Sequence, residues 1–287
     1  MLKERLGQPG LLVAPGVYDA LTAVLAVRSG FETVFVSGAA LAYTRLGRPD
    51  IGLLTAVELA DAVSNICERV HAPVCVDADN GFGHAFHVAR TVRQLERAGA
   101  AMIQLEDQRM SKGLDSDVPR PLVTTELMVG KIKAALDARH HASTLISART
   151  DALPSLGMSA AVERAHAYRD AGADLLFIES VKTLEEIAAL EALIREVAPT
   201  PVVFNRLEAM RAPSAADLDA LGVKLLLRPD ALINAMTRAG ASLLSAEADA
   251  LLGQSRSTPT PASAAAAIDG APYLADGLRF TDSKPAL

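Results

Sequence analysis

Eight times along this chain a short, almost wholly apolar run gives way to a longer stretch with helical periodicity. The runs fall at residues 10–15, 31–36, 73–76, 101–105, 144–147, 175–178, 201–204 and 224–227. The helical stretches follow at 18–29, 55–71, 86–98, 125–138, 159–171, 183–197, 215–221 and 230–252. Short runs that do not alternate polar with apolar are strands buried on both faces, as happens when helices cover a parallel sheet. Strict strand–helix alternation leads to the same class, and eight units favour closure into a (β/α)8 TIM-type barrel of the α/β class. A weak internal repeat supports the count. Gly30, Gly99 and Gly172 each end a helix, and each precedes by seven residues a polar group at the next strand's exit, Ser37, Glu106 and Glu179.

The 287 residues, half of them hydrophobic, suffice for one barrel domain, which the pattern assigns to residues 1–252. Residues 253–287 read as a linker and a C-terminal tail, because 254–267 are rich in Ser, Thr, Pro and Ala and the Thr-Pro-Thr-Pro run bars a helix at its start. Beyond it, 271–274 and 278–280 are apolar enough to dock, and a neighbouring subunit is the expected surface. A net charge of −6 with dispersed basic residues argues against nucleic acid and anionic membrane as partners. Cys67 and Cys75, one in a helical pattern and one in a strand, read as packed thiols in a reducing compartment. The N-terminus is too charged for a signal segment and no run approaches a membrane span, so a cytoplasmic protein is expected.

Active sites of such barrels lie at the carboxyl ends of the strands. At those ends stand Ser37, Asp77 with Asp79, Glu106, Arg149, Glu179, Asn205 and Arg228. Asp77 and Asp79, two residues apart on an extended segment, share a face. Two carboxylates so close call for a cation between them or a shared proton. With Glu106 they offer only oxygen ligands, which suits magnesium or manganese. The alternative is that Asp77 ends a strand while Asp79 and Asn80 make a turn with Gly81. A 2-oxo acid would chelate such a metal, which would stabilise an enolate forming there. Arg149 is suited to clamp a carboxylate with two parallel hydrogen bonds, and the Ser37-Gly38-Ala39 turn offers backbone N–H groups. Residues 109–122 form a long loop that includes Lys112, placed to close over a substrate. No lysine is placed for a Schiff base, His84 and His87 lack a third zinc ligand, and no phosphate loop, dinucleotide fingerprint or nucleophile elbow occurs.

Five ordered motifs carry a family resemblance: Ser37-Gly38-Ala39, Pro49-Asp50-Ile51-Gly52, Asp77-Ala78-Asp79-Asn80-Gly81-Phe82-Gly83, Ile103-Gln104-Leu105-Glu106-Asp107-Gln108 and Ala148-Arg149-Thr150-Asp151-Ala152. Over residues 10–250 the chain resembles the isocitrate lyase and phosphoenolpyruvate mutase superfamily, with the methylisocitrate lyase branch nearest. The resemblance implies a magnesium-dependent homotetrameric barrel, often with an exchanged C-terminal helix, acting on small anionic 2-oxo or 2-hydroxy acids through an enolate. It implies Asp79 as direct metal ligand, Asp77 and Glu106 as holders of the metal's waters, and Ser37, Gly38 and Ala39 as the carboxylate-binding turn. Asp50 matches a polar residue near the metal, Arg149, Glu179 and Asn205 the substrate-side groups, and Lys112 the lysine of a gating loop.

That loop also departs from the family. Its lyases read Lys-Lys-Cys-Gly-His or Lys-Arg-Cys-Gly-His, with the cysteine as acid or base, where this chain reads Lys112-Gly113-Leu114-Asp115-Ser116. Leu114 also stands where phosphonopyruvate enzymes carry an asparagine, and Phe35 where relatives tend to have Tyr or Trp. Leucine transfers no proton. Decarboxylation of oxaloacetate or a related diacid, or another carbon–carbon cleavage, is therefore the expected reaction. Carbon–phosphorus chemistry on phosphonopyruvate and a binding protein without turnover are the alternatives.

Overall fold

Eight parallel strands close on themselves in chain order, from the first round to the eighth and back. The computed structural model describes residues 1–109, 120–208, 213–252, 260–268 and 270–278. The strands are β1 (Leu12–Val17), β2 (Val34–Val36), β3 (Val74–Asp77), β4 (Met102–Glu106), β5 (Leu145–Thr150), β6 (Leu175–Ile178), β7 (Val202–Asn205) and β8 (Leu225–Arg228). The helices that follow them are α2 (Ala20–Arg28), α3 (Gly38–Leu41) and α4 (Ala56–Arg69), α5 (Ala85–Arg97), α6 (Thr125–Ala138), α7 (Leu153–Asp170), α8 (Leu184–Val197), α9 (Ala215–Ala220) and α10 (Ala231–Leu252), with α1 (Leu2–Leu6) ahead of β1. The barrel and its eight strand–helix units are those the sequence pattern predicts. Among the described residues no helix is long and apolar enough to cross a membrane.

The two-residue period of the strands explains how an apolar barrel carries a charged mouth. Phe35, Cys75, Met102, Leu145, Leu175 and Val203 belong to the cluster that fills the barrel, whereas Val34, Val76, Ile103, Ile146 and Leu176 pack outward against the helices. Two residues further along each inward row stands the next group on the same face. Cys75 leads to Asp77, Met102 through Gln104 to Glu106, Leu145 through Ser147 to Arg149, and Val203 to Asn205. The register aligns these rows, with Asp77 opposite Gln104, Gln104 opposite Ser147 and Glu106 opposite Arg149. Cys75 lies within the packed base, where burial pushes its thiol up to about 12, so it is an inert packing group.

Several local features depart from the sequence pattern. The first residues form α1, whose Leu2 and Leu6 join the interior cluster and plug the barrel's base. The predicted turn at Ser37-Gly38-Ala39 opens a helix instead. Ser37 Oγ accepts from the Ala40 N–H, and α3 continues as a π-helical turn over Ala42–Leu46 where a polar loop was expected. Helix α7 is broken at Gly157 (φ 83), so the predicted helix from 159 is its second part and a short helical turn from Leu153 precedes it. Cys67 and Cys75 are both free thiols. The second half of the predicted linker also folds. Residues Ala264–Ala267 form a helical turn, α11, capped by Ser263, and Gly270–Leu278 form α12.

Candidate active site

At the carboxyl end of the barrel lies a cavity of about 900 Å³, lined among others by Ser37, Asp50, Asp77, Arg149, Glu179 and Asn205. Beside Asp77 the buried Asp79 and Glu106 complete a cluster whose three carboxylate oxygens lie within 4.8 Å of one another. The turn that the sequence offers as an alternative to a metal seat is present, and it shapes the carboxylate cluster. Asn80 Oδ1 accepts from the Phe82 N–H at 2.9 Å, and Gly81 at φ 78 has no room for a Cβ, which would meet Val88 Cγ2 at 2.5 Å. Asp79 itself sits at φ 48, a left-handed conformation that aspartate tolerates and most residues do not. Its N–H donates to Asp77 Oδ1 at 3.2 Å, and its carbonyl accepts from the Glu106 N–H at 2.9 Å, which ties β3's exit to that of β4. Lys131 reaches in from α6 and donates to the Asn80 carbonyl at 2.9 Å. Burial pulls its ammonium below the usual lysine range, although Glu106 and Asp107 oppose the shift.

Gly38, at the start of α3, faces this cluster: a Cβ built there would lie 3.7 Å from Asp79 Oδ1 and 3.8 Å from Asp77 Oδ2. Three carboxylates from two adjacent strand ends, with no nitrogen or sulfur donor in the group, fit a hard divalent cation such as magnesium or manganese. Lys112 and Leu114 lie outside the described residues.

Arg149 occupies the opposite side of the mouth. Its Nε and Nη2 donate to the two oxygens of Asp151 at 2.9 and 2.7 Å, a fork closed within the chain. Its Nη1 points between Glu106 and Glu179, 3.6 Å from each, and its guanidinium lies over Phe177. Burial alone would lower its pKa, but Asp151, Glu179 and Glu106 outweigh that and raise it well above the ordinary arginine value. The bidentate clamp expected of Arg149 is thus taken by Asp151, which leaves Nη1 as the nitrogen not bonded to it. Glu179 in turn accepts from Asn205 Nδ2 at 3.2 Å, and Ser180 beside it sits at φ 70.

Asp107, next to Glu106, points the other way. It is wholly buried, and its Oδ2 accepts from Thr150 Oγ1, Arg164 Nη1 and Tyr168 Oη at 2.7 to 2.9 Å, while its Oδ1 accepts from the Asp151 N–H at 2.9 Å. Burial and the Asp107 carboxylate raise the Tyr168 phenol far above its usual range, so it stays a donor. Asp107→Asn turns an NH2 toward these donors and is expected to cost about 2–4 kcal/mol. Urea denaturation with an unchanged m-value would measure it.

Arg228, which the sequence places at a strand exit, does not reach the cavity. Its neighbours Leu227 and Pro229 line the cavity, and the parity of β8 turns Arg228 outward. Sequence patterning assigned no role to Asp151, Gln108, Arg120 and Tyr43, all four of which line the cavity. Asp151 was accessible, since Arg149-Thr150-Asp151 puts both charges on one face. The tail also takes part. Ala262, Ser263 and Ala265 line the cavity's far side, held by Asn234 Oδ1, which accepts from the Ala264 N–H at 3.0 Å, and by Arg238, which donates to the Ala262 carbonyl at 3.1 Å.

The family model described as phosphoenolpyruvate phosphomutase matches residues 2–247. The chain belongs to this family. Within the phosphoenolpyruvate phosphomutase family it is 43% identical over 247 residues to the 2,3-dimethylmalate lyase of Eubacterium barkeri, covering 85% of this chain and 84% of that one. It is 42% identical over 246 residues to the 2-methylisocitrate lyase of Aeropyrum pernix, covering 85% and 78%. Among solved structures it superposes on oxaloacetate acetylhydrolase in complex with the inhibitor 3,3-difluorooxalacetate with a TM-score of 0.78 at 27% identity, over 100% and 96% of the two chains. A phosphonopyruvate hydrolase in complex with oxalate and magnesium gives a TM-score of 0.77 at 28% identity, over 99% and 97%.

Proposed function

We propose that this enzyme, a lyase of the family, cleaves a carbon–carbon bond in a small 2-oxo or 2-hydroxy dicarboxylic acid of the oxaloacetate kind, by decarboxylation or by release of a second acid. The observation that carries this reading is the Asp77–Asp79–Glu106 cluster facing Gly38 on one side of the cavity and Arg149 on the other. Asp79 would bind magnesium directly, with manganese a workable substitute, and Asp77 and Glu106 would hold the metal through its waters. A divalent cation held there supplies Lewis-acid stabilisation of negative charge developing on the substrate's oxygens.

The chain's own groups do the rest. Backbone N–H groups at Ser37, Gly38 and Ala39 receive a carboxylate, and Asp50 supplies polar contact on the metal side. Nη1 of Arg149 adds positive charge, oriented by Asp151. Glu179 and Asn205 hold the substrate-side oxygens, and Lys112 closes the site against water. Leu114 leaves that loop without a proton donor at the position where the family's lyases have cysteine, which favours a reaction whose departing fragment needs no proton delivered from it. The relatives named as lyases favour carbon–carbon over carbon–phosphorus cleavage.

The tail is proposed to dock between subunits of a homotetramer, since the contacts of Asn234 and Arg238 with residues 262–264 can equally be made by a neighbour's tail. An unchanged oligomer size after truncation beyond Gly253 would sink that part. Two free thiols are in keeping with a cytoplasmic setting. The test of the activity is a panel of oxaloacetate, 2-alkylmalates and phosphonopyruvate, assayed with magnesium and with a chelator. Turnover of a diacid that the chelator abolishes is expected. Turnover of phosphonopyruvate alone would replace this reading with carbon–phosphorus chemistry, and magnesium-dependent oxalate binding without turnover of any compound would make the chain a binding protein.

A further inference from the structure

Among the described residues three arginines line the cavity, and two of them are already neutralised inside the chain. Arg149 is enclosed by Asp151, Glu106 and Glu179, and Arg238 forms a fork with Glu208 at 2.8 and 3.0 Å. Arg120 is different. Its hydrogen-bond acceptors are the neutral Gln108 Oε1 at 3.2 Å and the Asp50 backbone carbonyl at 3.5 Å, and it forms no ion pair among the described residues. Gln108 is 1% exposed, and because its oxygen accepts from Arg120, its Nε2 is turned away from Arg120 and has no partner among the described residues.

A buried amide N–H without an acceptor costs about as much as a lost hydrogen bond. Here it stands beside a guanidinium that forms no ion pair among the described residues. Both are held on a fixed frame. Gln108 pairs with Leu122, the Arg109 N–H donates to the Pro121 carbonyl at 2.8 Å, and the Val123 N–H donates to the Asp107 carbonyl at 2.8 Å. Gln108 continues the inward row of Met102, Gln104 and Glu106, about 7 Å beyond Glu106 along the chain. That offset suits the far end of a short diacid whose near end rests at the carboxylate cluster.

We infer that Gln108 Nε2 and the Arg120 guanidinium form a second carboxylate site in the cavity, one that grips the substrate carboxylate lying away from Asp77, Asp79 and Glu106. This rests on the diacid reading above and deepens it. A diacid brings two negative charges, and Arg149 is already balanced by three carboxylates, so the second charge needs another cation. Arg120 supplies it with planar, bidentate geometry, and the glutamine N–H adds direction.

Calorimetric binding with magnesium present separates the sites by ligand length. Oxalate spans only the carboxylate-cluster end, whereas 2-methylmalate reaches the second site. Arg120→Gln is expected to weaken 2-methylmalate about tenfold or more and to leave oxalate within about twofold, which also shows that the variant is folded. Arg120→Lys should recover part of the loss, and Gln108→Leu should weaken 2-methylmalate severalfold without touching oxalate. Equal losses for both ligands, or no loss for 2-methylmalate in either Arg120→Gln or Gln108→Leu, would overturn the site. Failure of the unaltered enzyme to bind oxalate with magnesium would instead overturn the functional reading, and the second site with it.

Discussion

Asp79→Asn is expected to lower kcat/KM by about a thousandfold or more, since direct metal coordination is worth several kcal/mol of transition-state stabilisation and about 1.4 kcal/mol is tenfold in rate. Asparagine is chosen because residue 79 sits at φ 48, a conformation that asparagine adopts at least as readily as aspartate. Alanine would confound loss of charge with backbone strain. The N–H to Asp77 and the carbonyl to Glu106 are main-chain groups and survive the change, so the turn from 77 to 83 keeps its shape. Thermal unfolding gives an independent readout. A ligand that binds only the folded state at about a hundred times its Kd adds about 2.7 kcal/mol. Magnesium should therefore raise the melting temperature of the unaltered enzyme and leave that of Asp79→Asn nearly where it was. A variant that keeps both its magnesium response and its turnover would move the metal elsewhere.

How much of this was legible in sequence depends on which physical rule each feature obeys. The barrel follows from a local rule, apolar runs of strand length spaced by helices, and so do the positions of Asp77, Glu106, Arg149, Glu179 and Asn205. Each stands on an inward row, two or four residues beyond a core side chain. The same rule, applied with care, reverses the expectation for Arg228: Leu227 fills the barrel, so the next residue must face out. Asp151 obeys it too, as the residue two beyond Arg149. What was not legible depends on contacts between distant segments. Asp107 is next to Glu106 and of the same charge, yet its four donors come from β5, its exit and α7, more than forty residues away. Arg120 enters the cavity because residues 107–109 pair with 121–123, which no periodicity announces. Leu2 and Leu6 look like any amphipathic start until an open barrel base is there to receive them.

Arg149→Met should combine the largest loss of stability with near-complete loss of activity. Among the described residues the arginine bridges Glu106, Asp151 and Glu179, and its side chain is only 14% exposed. Removing one member of a buried ion network while its partners remain costs about 3–5 kcal/mol. Arg149 is raised well above its ordinary value, so it remains charged at every working pH and its own titration contributes no slope there. Arg149→Lys separates charge from shape. It keeps the positive charge and hence most of the stability, but an ammonium cannot make the two-pronged contact with Asp151 at 2.7 and 2.9 Å while also presenting a donor between Glu106 and Glu179. Misplacing a charge by about an ångström costs roughly a hundredfold in turnover, so Arg149→Lys should fold like the unaltered enzyme and turn over about a hundred times more slowly. Denaturant midpoints measured at several pH values, alongside kcat for both variants, test the pair. Full activity in Arg149→Lys would reduce the residue to a structural counter-charge.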